Sequence, residues 1–218
     1  MNSHIALQSD DARILTTFFT PTGSRLATVS LDGTIRFWDL TSEQPTLLPL
    51  VLTRKGGEIR SAAICPDGRW LCVGGSREGT THLWDLMAPD PPATSMVLRG
   101  HDSPVSSIKF APDARWLITS SRQRTLSGIR YTSHLWSLKS GMPEGPPTIL
   151  QGTADGSQNE FAEEDFLEFS PNGRWVVTGG GLMLLLWDLD FDSLLSRARN
   201  RAGRTLSIEK RQRYQLTD

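Results

Sequence analysis

The stretch GTIRFWDL (residues 33–40) returns, slightly altered, as GTTHLWDL (residues 79–86), 46 positions later. A catalytic motif needs to be written only once, whereas a phrase that recurs at a fixed interval describes architecture. Three landmarks share the interval. Leu7, Leu52 and Leu98 each precede a proline by 14 positions: Pro21, Pro66 and Pro112. Trp38, Trp84 and Trp136 follow those prolines by 17, 18 and 24 positions, and each lies 14 residues before the next leucine, Leu52, Leu98 or Leu150. A fourth unit runs from Leu150 through Pro171 to Trp187. Two spacings are constant and the third varies, which shows where the chain tolerates insertion.

Within each unit the pattern is that of strands. VSSIKFAP (105–112) alternates after its valine, and RWLITSS (115–121) is rich in β-formers. FSPNGRWVVTGG, ICPDGRWLCVGG and FAPDARWLITSS are three copies of one strand–turn–strand, with NG, DG or DA after the proline as hairpin turn pairs. A second turn, LDG at 31–33 or REG at 77–79, leads into the strand carrying the tryptophan. A Pro-rich loop then leads to a short strand bearing the leucine. Each unit is therefore expected to be a four-stranded antiparallel meander of about 45 residues. So small a sheet cannot bury both faces alone, but sheets stacked around an axis cover one another, and the product is a propeller. The recurring tryptophans are the filling between blades, each stabilising by at least the roughly 1.5–3 kcal/mol of a large buried apolar side chain.

The bulk properties agree. At 218 residues, 38 % hydrophobic and 22 % charged, the chain can bury a sizeable core. A formal net charge of −1 gives no global field that calls for nucleic acid or a membrane. The longest apolar run, LMLLLW (182–187), is too short to span a bilayer. MNSHIALQSDD lacks the features of an export signal, so the expected location is the cytoplasm, with Cys65 and Cys72 as reduced, buried thiols that could face each other across a hairpin.

Trp38–Asp39, Trp84–Asp85, Trp187–Asp188, the degenerate Trp136–Ser137 and Gly100–His101 together resemble the WD-repeat β-propeller family, over residues 5–189. The resemblance implies fold far more than function. In that family a His, a Ser/Thr, an Asp and the Trp often form a hydrogen-bonded structural tetrad in each blade. Carried over, the first unit offers Thr28, Asp32 and Trp38, with Asp10 in the histidine position. The second has Lys55, Val73, Glu78 and Trp84. The third has His101, Thr119 and Trp136, and the fourth Thr178 and Trp187 with a turn shortened to 179–181. No blade is complete, so the resemblance implies a propeller held by apolar packing.

After Trp187 the pattern changes to that of a helix: Asp192 or Ser193 as cap, Leu194, Leu195 and Ala198 on one side, Gly203 as a stop. The phrase AGRTLSIEKRQRY, following a propeller, is similar to the tails of bacterial signalling ATPases of the STAND type (NACHT/NB-ARC-like), which carry an ATPase switch upstream and WD repeats downstream. On that resemblance the chain corresponds to the last blades and tail of such a protein.

No catalytic motif stands out: there is no phosphate-cradling loop, HExxH, CxxC pair or nucleophile elbow. His82 and His134 share one repeat position, two before a tryptophan. They read as polar residues on the outer part of a strand, or else as a metal or proton-transfer pair between blades. Two insertions fall on one face of the meander. One lengthens the loop before Trp136, SSRQRTLSGIRYTS (120–133), adding Arg122, Arg124, Arg130 and Tyr131. The other, QGTADGSQNEFAEEDF (151–166), adds Glu160, Phe161, Glu163, Glu164 and Asp165. They are either solvated loops forming weak ion pairs or a partner-docking surface on a rigid scaffold.

The expected architecture is all-β: a partial propeller of four blades, units about 7–51, 52–97, 98–149 and 150–189, with a short helical tail at 190–218. An open arc is expected rather than a closed ring, because the strand around His4–Leu7 has the register of an outer strand of a preceding blade, while the fourth blade lacks one of its own. The expected function is a non-catalytic protein-interaction scaffold, the C-terminal sensing part of a larger bacterial signalling protein or a truncated relative. A propeller enzyme with a channel-lined site and a non-functional truncated gene product are the alternatives. Other proteins are the expected partners, including upstream blades or a second copy through the open edges; no cofactor, metal, nucleic acid or membrane is expected.

Overall fold

The computed structural model describes residues 6–7, 12–43, 49–54, 58–75, 79–126, 128–138, 143, 145–153, 165–180 and 183–190. They form four antiparallel sheets. The first contains β1 (Ile14–Phe19), β2 (Arg25–Ser30), β3 (Thr34–Asp39) and β4 (Leu50–Thr53). The second contains β5 (Ser61–Ile64), β6 (Trp70–Gly74), β7 (Thr81–Asp85) and β8 (Met96–Leu98), with a 3-10 turn at Pro91–Thr94 before β8. The third contains β9 (Val105–Phe110), β10 (Trp116–Thr125), β11 (Gly128–Ser137) and β12 (Thr148–Thr153). The fourth has three strands, β13 (Asp165–Phe169), β14 (Trp175–Gly180) and β15 (Met183–Asp188). Neighbours in sequence are neighbours in each sheet, so every blade is a simple meander.

The proline hairpins share one turn. The N–H of Gly23, Gly68, Ala114 or Gly173 donates to the carbonyl three residues back, at 2.8–2.9 Å, and each of these four residues has a positive φ between 58° and 76°. Three of the four are glycine, which reaches that region without a Cβ penalty; Ala114 is the exception. Asp67, Asp113 and Asn172 close the turn by accepting the backbone N–H two residues on, at 2.9–3.1 Å.

Three apolar clusters account for the packing among the described residues, each between consecutive blades. Ala27, Val29, Ile35 and Phe37 of the first blade meet Leu71, Val73 and Trp84 of the second. Cys72 and Leu83 of the second meet Phe110, Leu117 and Trp136 of the third. Ile118 and Leu135 of the third meet Leu167, Phe169 and Val176 of the fourth. Among the described residues, four blades with three interfaces make an open arc, and no interface closes a ring. Ala6 and Leu7 lie outside any strand, and His4 lies outside the described residues. So does the tail from 191 onward, where the helix was expected.

The two cysteines are buried and free, and they do not face each other. Cys72 stands opposite Ala63 in the ladder, while Cys65 enters the turn with its N–H on the Trp70 carbonyl. Burial pushes the Cys65 thiol up to about 12 and raises Cys72 as well.

Candidate functional site

Trp84, Trp136 and Trp187 pack against the preceding blade, and three of the four repeat tryptophans are anchored by a threonine on the adjacent strand. Trp38 Nε1 donates to Thr28 Oγ1 at 3.1 Å, Trp136 to Thr119 at 3.1 Å and Trp187 to Thr178 at 2.8 Å. In the second blade Val73 stands in the threonine position, and Trp84 is held in the apolar cluster. Asp32 puts its Oδ1 on the Thr34 backbone N–H at 2.9 Å, so its carboxylate shapes the turn before β3. Asp10, Lys55 and Glu78 lie outside the described residues.

Among the described residues the third blade carries the longest polar chain. His101 Nε2 lies 2.8 Å from Thr119 Oγ1, and His101 Nδ1 lies 2.8 Å from Ser121 Oγ. Ser121 Oγ in turn reaches the Thr132 carbonyl at 3.5 Å. One proton arrangement gives each atom a single role: Trp136 N–H donates to Thr119, Thr119 O–H to His101 Nε2, His101 Nδ1–H to Ser121, and Ser121 O–H to Thr132. His134 lies flat on His101, ring centroids 3.8 Å apart and planes 14° from parallel. Both rings are buried, which differs from the outer-strand position expected of His134. The reason is tertiary: the Gly100 backbone passes so close that a Cβ there would stand 2.9 Å from His134 Cε1. His82, in the equivalent place, stacks on Trp84 at 5.7 Å and lies 3.4 Å from Ser95 Oγ. Burial lowers the pKa of both stacked rings; His101, with His134 as a second cause, falls to about 3. The stack is a pair of neutral imidazoles. Among the described residues no group of three His, Cys, Asp or Glu side chains is placed to hold a metal.

A second recurring arrangement escapes the sequence reading. Arg69 donates through Nε and Nη2 to Asp85 Oδ2 at 3.0 and 2.9 Å, and its guanidinium lies 5.1 Å from the centre of the Trp70 ring. Arg174 repeats this with Asp188, at 3.3 and 3.1 Å, over Trp175 at 5.2 Å. The aspartate after the repeat tryptophan therefore ties the strand end to the proline hairpin. Burial opposes ionisation of Asp85, but Arg69 and the Met87 N–H outweigh it and lower its pKa. The signal was present: Arg–Trp in the hairpin and Trp–Asp in the following strand occur together in units two and four. In unit three Ser137 replaces the aspartate, and Arg115 turns to Asp113 in its own turn, 2.6 Å away.

The insertion expected as a loop before Trp136 is a ladder. Register runs unbroken from Trp116↔Ser137 to Thr125↔Gly128, so β10 and β11 extend the third blade as a long hairpin. β9 pairs with β10 only as far as Ser121, whereas β12 follows β11 out to Arg130↔Thr153. Arg122 and Arg130 are exposed on this extension, and Leu126 at its tip is fully exposed. Tyr131, expected beside the arginines, is buried within the sheet. The side chain of Arg124 is not described. Glu160, Phe161, Glu163 and Glu164 lie outside the described residues, and Asp165 opens β13 opposite Gly180. Thr153, the last described residue before the acidic insertion, pairs with Arg130 in the hairpin's outer half.

A family model described as "WD domain, G-beta repeat" matches residues 4–39, 49–85, 93–127 and 165–188. No curated protein matches the chain. The third match stops at 127, within the hairpin extension, although β11 still delivers Trp136 to its place between blades two and three. With repeat matches over more than half of its length, the second and third each taking in the outer strand of one sheet and strands of the next, the chain belongs to the WD40 repeat family.

Proposed function

We propose that this protein is the recognition part of a larger bacterial signalling protein, and that it engages an acidic protein partner on the extended β10–β11 hairpin. WD40 repeats suggest a protein-interaction scaffold in general. The observation that carries the finer reading is the departure from the repeat: among the described residues only the third blade pushes a regular ladder beyond its neighbours, with Arg122 and Arg130 displayed on it. A rigid ladder presents charge at fixed spacing with little ordering cost on binding, which is what a docking element needs. The AGRTLSIEKRQRY phrase supports the signalling context.

The test is affinity capture on the purified protein, followed by quantitation of each captured protein. The double variant Arg122→Glu/Arg130→Glu should lose the specific partner, and the isolated partner should bind it at least tenfold more weakly by calorimetry. Both changes are on exposed side chains, so the melting temperature should hold. Equal capture by the variant overturns the hairpin as the docking element.

A further inference from the structure

The three blade interfaces repeat one pattern, and its two halves recur at the ends of the arc, the offering half exposed and the receiving half open at Phe19. The receiving half is a row across the first three strands of a blade. In the third blade it is Phe110, Leu117 and Trp136, aligned by register; in the fourth it is Phe169, Val176 and Trp187. The offering half centres on the residue before each repeat tryptophan. Phe37, Leu83 and Leu135 hold that position in blades one to three and are 2 %, 0 % and 1 % exposed, because the next blade covers them.

The fourth blade has Leu186 in the same position, 62 % exposed, with Leu184 beside it at 59 %. At the other end the first blade carries the receiving row Phe19, Leu26 and Trp38 in the same register. Phe19 is 62 % exposed, against 8 % for Phe110 and 6 % for Phe169, whereas Leu26 is half-buried and Trp38 is buried, so the row is open at Phe19. One end face is thus an offering half without a receiver, and the other is a receiving half open at its Phe19 corner.

The outer strands repeat the mismatch. Leu52 lies in β4 and Leu98 in β8, the outer strands of blades one and two. Leu7 holds the same place in the spacing but lies outside any strand, while β15 has no fourth strand beside it among the described residues. Among the described residues, an outer-strand leucine stands outside any sheet at one end of the arc, and a sheet stands without an outer strand at the other.

We propose that two copies of this chain join head to tail, the Leu184–Leu186 face of each on the Phe19–Leu26–Trp38 face of the other, to close a two-fold ring of eight blades. This inference rests on the repeat of the interface and not on the hairpin's docking role. Both contacts are copies of interfaces the fold already makes, so the occupant fits the register as well as the polarity. A head-to-tail contact that closes at two copies gives a finite assembly, and one that does not close gives filaments.

Light scattering coupled to size exclusion at micromolar concentration should give twice the chain mass. Leu186→Arg and Phe19→Glu should each give monomers, since each places a charge in both contacts of the ring. Mixing the two variants should restore a dimer, because one of its two contacts is then wild type on both sides. A wild-type monomer overturns the proposal, as does any larger open-ended species. A dimer that survives Phe19→Glu but not Leu186→Arg would be a symmetric pairing of like ends and overturns it equally. Should a variant fail to fold, the wild type alone decides: amide exchange in β15 and around Phe19 must slow as concentration rises, and exchange that ignores concentration rules the ring out.

Discussion

At the scale of single residues, the third blade shows how a polar core is made tolerable. Thr119 satisfies Trp136 and His101 at once, and Ser121 takes the other ring nitrogen. The stacked His134 has no hydrogen-bond partner for its buried Nδ1. The pair is stable only uncharged, and pH dependence follows from that. The unfolded histidines take up protons near pH 6.5, whereas the folded His101 does so at about 3 and folded His134 is also lowered. Between those limits the unfolded chain binds more protons, so stability is complete above about 6.5 and falls as pH drops. The slope should approach about 1.4 kcal/mol per pH unit for His101, with His134 adding to it in the same direction. Melting temperature should therefore fall from pH 7 to pH 5, a window above the range in which Asp39 and Asp85, both lowered, titrate in the fold. His134→Phe keeps a ring on the stack and removes one base, so its melting temperature should depend less on pH there. An unchanged slope in the variant would show that the stack is not the source.

At the scale of elements, the clamp between Arg69 and Asp85, repeated by Arg174 and Asp188, joins the proline hairpin to the end of the tryptophan strand. The third blade keeps the geometry without the acid, since Trp116 faces Ser137 in the same register as Trp70 faces Asp85. Ser137→Asp should draw Arg115 away from Asp113 and stabilise the blade by a few tenths to about 1 kcal/mol, the range of a partly exposed ion pair. Urea denaturation at neutral pH would measure it, and a destabilised variant would mean that Arg115 cannot leave its turn. This element also shows what a sequence can tell. The tryptophan–proline–leucine spacing revealed the blades because each of those residues has one packing or turn role per repeat. The Arg–Trp and Trp–Asp pairs were equally periodic, but a salt bridge depends on which strand ends meet, and that needs the register. The hairpin extension reads as a loop because Leu126 and Ile129 are the only large apolar residues among 122–130 and do not alternate. Their pairing is inherited from the anchored half, Trp116 to Ser121 against Thr132 to Ser137, and not from any alternation of their own. Tyr131 and His134 were misplaced for the same reason: only neighbouring strands and blades bury them.

At the scale of the whole molecule, stability in an array of blades is a sum over neighbours, and end blades have one neighbour where inner blades have two. The fourth blade is weaker again, with three strands and no outer one among the described residues. Opening should therefore start at that end and reach the interface between blades two and three last. The native cysteines sit in that central interface, and burial keeps Cys65 protonated up to about 12, so the folded protein offers labelling reagents no thiolate. Cys72, Ala27 and Val176 are all fully buried, one at each of the three interfaces. Ala27→Cys and Val176→Cys thus turn the arc into three buried thiol probes with equal initial protection. In the monomeric Leu186→Arg background, mass spectrometry after brief alkylation in sub-denaturing urea should find Val176→Cys labelled first, Ala27→Cys next and Cys72 last. Simultaneous labelling at all three would mean that the arc opens as one cooperative body, and that the blades cannot be treated as a chain of nearest neighbours.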